Sequence, residues 1–275
     1  MATIAQPVLG AGYRPDSLSG TPRAHPIDRW IFVFMAAWFI AIVLAGFIPS
    51  SLAKIAAVEA GQRPPFPWIL HVHAGLMGSF LLLLLAQTSL MATGRSAMHR
   101  QLGLAAMVLA PALVIAGFVL VRTTYLGLWG AAQAAPPAAA AELRNVILHV
   151  DNIMLLQIRI GLLFPLFLFI GLHARGADAG LHKRMMFLAT AMALPAGIDR
   201  IPWLPTSIPG SPMAPDLYML LAVLPMFAWD VARNRRVHPA YWIWLAINLP
   251  FAVAVHGLWG TQWWHDAAPR LMGVA

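Results

Sequence analysis

Trp68-Ile69-Leu70-His71-Val72-His73 opens a run that continues through Leu81-Leu82-Leu83-Leu84-Leu85 to Met91 with no Asp, Glu, Lys or Arg. A helix needs about 20 mostly apolar residues to cross a bilayer core. The run therefore reads as a membrane span that carries histidines at its start. Similar runs lie on either side: Trp30 to Pro49, Leu102 to Val121, Val146 to Leu172, and Tyr241 to Trp259. Two shorter ones, Met185 to Ile198 with Pro195 and Leu217 to Trp229 with Pro225, complete a count of seven. Backbone polar groups must be satisfied internally in lipid, so these spans are helices. Nothing resembles the short alternating segments of a barrel. The expected architecture is an all-α polytopic bundle: a tail over 1–29, a membrane domain over 30–259 and a C-terminal tail over 260–275.

Composition agrees. Of 275 residues, 60% are apolar and 10% charged, whereas soluble domains carry about 25% charged residues. The formal charge of +8 comes from 18 Lys and Arg against 10 Asp and Glu. These cations form short clusters between apolar runs, a poor pattern for nucleic-acid binding. The absence of cysteine removes disulfides, iron–sulfur clusters and thiol nucleophiles. Histidine nitrogen is the strongest metal ligand left, with 10 copies. No Walker-type loop or Gly-x-Ser-x-Gly occurs. No lysine lies inside a span, which excludes a retinal Schiff base. Arg and Lys concentrate on one side of the expected spans, from Arg14, Arg23 and Arg29 to Arg233, Arg235 and Arg236. The positive-inside rule then places the N-terminus in the cytoplasm and, after seven spans, the C-terminus outside a bacterial-type inner membrane. Ser50 to Phe66, the Ala-rich Thr123 to Arg144 and the Pro-rich Ile201 to Pro215 read as outer loops.

An internal repeat places the histidines. Ile69-Leu70-His71-Val72 recurs as Ile147-Leu148-His149-Val150, and Met98-His99-Arg100 is echoed by Leu181-His182-Lys183-Arg184. Spans two–three and four–five thus read as two copies of one hairpin. Like-placed histidines should then share a depth: His71 with His149 near the outer face, His99 with His182 near the inner. Two imidazoles on facing helices suit a six-coordinate haem iron. Arg100, Lys183 and Arg184 suit haem propionates. The inner histidines lie about 30 Å below the outer ones, which places them near the headgroups.

The motif His99-Arg100-Gln101-Leu102-Gly103, with His182-Lys183-Arg184-Met185, resembles a group of bacterial integral membrane proteins without an assigned activity. They carry His-Arg-x-Leu-Gly and His-Arg/Lys-Arg-x-Met signatures at two helix starts. The resemblance covers roughly Phe66 to Trp259, and here Met185 follows Arg184 directly. The four-histidine layout is also similar in topology to the ascorbate-reducible transmembrane b-type cytochromes. That resemblance implies one haem b on His71 and His149 and a second on His99 and His182, with electrons passing across the membrane.

Arg159 lies well inside span four. A charge there costs about 3 kcal/mol or more, so it should face the bundle and meet an acid, a propionate, a quinone oxygen or carbonyls. Asp151 is about 12 Å away along the helix, too far for a direct pair. Gln87 is a neutral alternative. His73 reads as an interface residue, Asp230 with Arg233 as a solvated helix end, and His256 as an ordinary span residue. Two functions follow. One is an electron-transfer protein that binds b-type haem and exchanges electrons with quinol. The other is a non-enzymatic subunit or assembly factor whose His and Arg residues contact lipid headgroups or partner helices.

Overall fold

The computed structural model describes residues 16–274. These form an all-α bundle of nine helices and no strand: α1 (Pro26–Glu59), α2 (Trp68–Ala92), α3 (Ser96–Ala134), α4 (Pro137–Ala174), α5 (Ala179–Ala191), α6 (Leu194–Ile198), α7 (Met213–Asn234), α8 (Pro239–Leu258) and α9 (Gln262–Met272). Among the described residues, six helices are long and apolar enough to cross a membrane: α1, α2, α3, α4, α7 and α8. Proline starts α1, α4 and α8, where its missing N–H costs nothing. Pro111, Pro165 and Pro250 lie inside spans, where neighbouring helices can satisfy the freed carbonyls.

Among the described residues, the six long helices run between the two ends of the bundle, and α5 with α6 makes one further traverse. At one end, Asp28 of α1 accepts from Trp229 Nε1 (2.8 Å) and Arg233 Nη2 (2.8 Å) near the close of α7. Arg184 of α5 meets Asp230 there. At the other end, Asp216, which starts α7, meets Arg159 of α4 and His256 near the close of α8. The fifth traverse differs from the single span expected over Met185 to Ile198. It is made by α5 and the five-residue α6 in succession. Pro195 has no N–H for the Ala191 carbonyl, so the helix breaks. The N–H groups of Met192 and Ala193 instead close tight turns onto Ala189 and Thr190. α6 then lies directly on α1, because a Cβ on Gly46 would collide with the Gly197 carbonyl.

The expected outer loop over Thr123 to Arg144 is also absent. α3 and α4 continue through it as helices of 39 and 38 residues joined at Ala135 and Pro136. Each is about 57 Å long, against about 37 Å for the 25 residues of α2. Alanine is the best helix former, so low hydropathy ended the apolar run without ending the helix. The C-terminal tail packs on this extension as α9. Trp264 Nε1 donates to the Asp151 carbonyl (2.6 Å), and Gly260 N–H to Asn152 Oδ1 (2.8 Å). A central core around Phe39, Phe167, Phe187 and Leu188 and a smaller one around Tyr125, Met154 and Trp264 hold the bundle. Leu82, Val108, Ile115 and Phe169 face outward, as residues covered by lipid do.

Candidate functional site

α3 and α5 each begin just after a tight turn, and each carries its histidine at the fourth position. This brings His99 and His182 together, with ring centroids 6.4 Å apart and planes at 80°. His182 Nδ1 lies 2.8 Å from the Gly171 carbonyl, near the end of α4, and His99 Nδ1 lies 3.2 Å from the Gln87 carbonyl of α2. A carbonyl oxygen only accepts, so each neutral ring carries its proton on Nδ1 and leaves the Nε2 lone pair free. A histidine oriented in this way through its far nitrogen is a prepared metal ligand. Gly171 permits the approach of α5 to α4, since a Cβ there would lie 3.0 Å from Met185 Cβ.

Metal–nitrogen bonds of about 2.0–2.1 Å place two coaxial imidazole centroids about 6.5 Å apart. The observed separation fits that spacing. No group of three or more His, Cys, Asp or Glu able to hold a metal occurs among the described residues. Haem iron is a metal that needs only two protein ligands, because it brings its other ligands with it. Arg175 is exposed and close enough to act on His182 electrostatically, Arg100 is exposed beside His99 in the chain, and Gln87 Oε1 is buried without a hydrogen-bond partner. The pair thus offers two imidazoles at a separation compatible with one shared metal ion.

The outer histidines are arranged differently. Phe80 packs on Phe164 with centroids 5.2 Å apart, and Gln87 lies level with Gly171 through the facing histidine rings. Both relations put α2 and α4 in register at an offset of 84 residues. His71 and His149 are 78 apart, so they are staggered by six residues, about 9 Å along the helices. His71 is exposed and its ring stands edge-on to Phe66, 6.1 Å away. Among the described residues no ring contact joins it to His149. The equal depth that the repeat implied is lost because 33 residues separate His149 from His182 but only 28 separate His71 from His99, so copies level at the inner pair cannot also be level at the outer one. His73 is the histidine turned into the α2–α3 seam, 3.5 Å from the position a Gly117 Cβ would take.

Lys183 and Arg184 are occupied elsewhere. The Lys183 ammonium is 2.6 Å from Asp16 Oδ2 and also bonds the Leu18 carbonyl. Arg184 is fully buried and bonds both oxygens of Asp230 and of Asp16, and the Gly180 carbonyl at 3.0 Å. Asp230 is thus fully buried rather than solvated, and Arg233 pairs with Asp28 instead. Burial pushes the Asp16 carboxyl up, but the hydrogen bonds and charges of Arg184 and Lys183 outweigh that and hold it far below the usual carboxylate range. This ionic cluster clamps Asp16–Leu18 over α5 and α7, one residue beyond His182.

Arg159 does meet an acid. It is 2% exposed and grips both oxygens of Asp216, with Nη1 to Oδ2 at 3.1 Å. His256 Nε2 lies 3.0 Å from the same Oδ2. Neither Asp216 nor His256 stood out in the sequence. Asp216 lies just outside its apolar run, and only the packing of α4, α7 and α8 unites the three. No family model matches the chain, and no curated protein or solved structure matches it.

Proposed function

We propose that this is a multi-pass membrane electron-transfer protein that holds one b-type haem between His99 and His182, at the end carrying the ionic clamp. The observation behind this reading is the pair of imidazoles 6.4 Å apart, each tethered at Nδ1 by a main-chain carbonyl and free at Nε2. Haem would supply reversible one-electron chemistry there. The chain's part is to fix the ring orientation, strengthen the ligands through the carbonyl bonds and limit solvent access. Arg175, which acts on His182 electrostatically, is the cation proposed to meet a propionate, with Arg100 beside His99 in the chain as the second candidate, while Lys183 serves the clamp. The excess of Arg and Lys at the clamp end favours a cytoplasmic orientation for it, and a membrane quinol is the proposed partner in exchange.

Purified protein from haem-supplied cells is expected to show a Soret band and a pyridine-haemochrome signal near one haem per chain. His99→Ala and His182→Ala should each abolish the six-coordinate spectrum, while His71→Ala and His149→Ala retain it. Wild-type protein without a Soret band would overturn the reading. The second reading, a helical subunit without cofactor, draws support from the same carbonyl bonds. Gly171 is one of the carbonyls left orphaned at the end of α4, and His182 satisfies it structurally. In that case folded wild-type protein is colourless, and His182→Ala changes stability alone.

A further inference from the structure

We infer that Arg159, Asp216 and His256 form a binding site for the hydroxyl group of a membrane quinol. This rests on the redox reading and names where its partner would dock. Asp216 is oriented by a bidentate guanidinium that is itself buried in the bundle. A carboxylate only accepts, so His256 donates to it from Nε2, and the ring in its neutral form carries its lone pair on Nδ1. His256 Nδ1 makes no hydrogen bond among the described residues, and 34% of the side chain is exposed. The arrangement is an imidazole acceptor aligned by an acid and part-exposed on the outside of the bundle, in the last turn of α8. Three residues further on, Trp259 caps α8, with its Nε1 fixed to the Pro209 carbonyl at 2.8 Å. It offers an aromatic wall for a ring-bearing ligand.

Charge selects the ligand class. Arg159 and Asp216 neutralise each other, so the site has no net charge to draw an anionic phosphate. A neutral hydroxyl donor fits it, and a quinol is a lipid-soluble molecule of that kind. Arg159 Nε, buried and without a partner, leaves the cluster one unspent donor as well.

The test is calorimetric titration of a short-chain quinol into the full chain in phosphatidylcholine nanodiscs, with empty nanodiscs as the blank. His256→Gln retains a donor for Asp216 but has no outward acceptor in the Nδ1 position. It should fold like wild type and bind quinol about tenfold more weakly or worse. Saturable wild-type binding that His256→Gln weakens supports the site. Equal affinities, or no wild-type binding above the blank, overturn it. Nanodiscs doped with phosphatidylglycerol form a second arm, and competition by that lipid assigns the site to headgroups and overturns the quinol. The titration needs no colour, so a missing Soret band would remove the haem while leaving this result readable.

Discussion

Two buried arginines divide the molecule's ionic chemistry. Arg184 spends all its N–H capacity on two carboxylates and a carbonyl, under a clamp that closes one end of the bundle. Arg159 has one carboxylate, shares it with a part-exposed histidine and keeps Nε unpaired. A saturated cluster has nothing left to offer a ligand and reads as architecture. An unsaturated one keeps donors and acceptors in hand, which is costly in lipid unless something uses them.

If the clamp is architecture, breaking it should be the most damaging change. Asp230→Ala leaves Arg184 buried with only Asp16 for charge, and such losses run to about 3–5 kcal/mol. Thermal unfolding in detergent should show the greatest loss of this set, and an unchanged midpoint would mean that the clamp is decorative. Asp216→Asn should cost less, about 2–3 kcal/mol, because Arg159 keeps its charge but loses its counter-ion. Its diagnostic is selectivity: the His99–His182 spectrum or ring geometry should persist. Loss of that signature along with stability would show that the two clusters are not independent.

Asp16 sharpens the comparison through pH. Its carboxyl ionises far below the ordinary value of 3.8. A group with a depressed folded-state pKa adds stability that is complete above its unfolded value and is lost as pH falls through its folded one. Wild-type protein should therefore lose stability steadily below about pH 4, and Asp16→Asn should lack that part of the acid limb. Acid denaturation curves that superimpose would remove Asp16 from the clamp.

Six of the seven spans, the repeat and the inner histidine pair were legible in the sequence, because long apolar runs and short recurring motifs report local periodicity. The equal depth of His71 and His149 did not hold, because the two copies space their histidines by 28 and 33 residues and cannot align at both ends. The length of α3 and α4 was hidden too, since Ala131–Ala134 and Pro137–Ala141 form helix without the hydropathy that marks a span. Arg159 announced itself by its cost in lipid, but its partner could not be named. Asp216 is 57 residues away, beyond a Pro-rich loop, and only packing brings the two together. Asp230 was misread for a related reason. Its neighbour Arg233 sits at helix spacing, yet turns to Asp28 of α1, while Arg184 arrives from another helix.

The smallest expected effect lies at the far end, where α9 rests on the α3–α4 extension. Asp151 is buried and accepts from Tyr125 Oη (2.9 Å) and from His265 Nδ1 (3.0 Å), while its own carbonyl takes Trp264. His265→Ala removes one of these bonds and leaves the carboxylate held by Tyr125, so the cost should be close to a single hydrogen bond, about 1 kcal/mol. That is too little to unfold the bundle but enough to raise the open population of an eleven-residue helix about fivefold. Hydrogen exchange over Gln262–Met272 should quicken accordingly, with amides around Arg184 unmoved. If protection falls at both ends together, the bundle opens as one cooperative unit, and the division between a rigid clamp end and a looser far end fails.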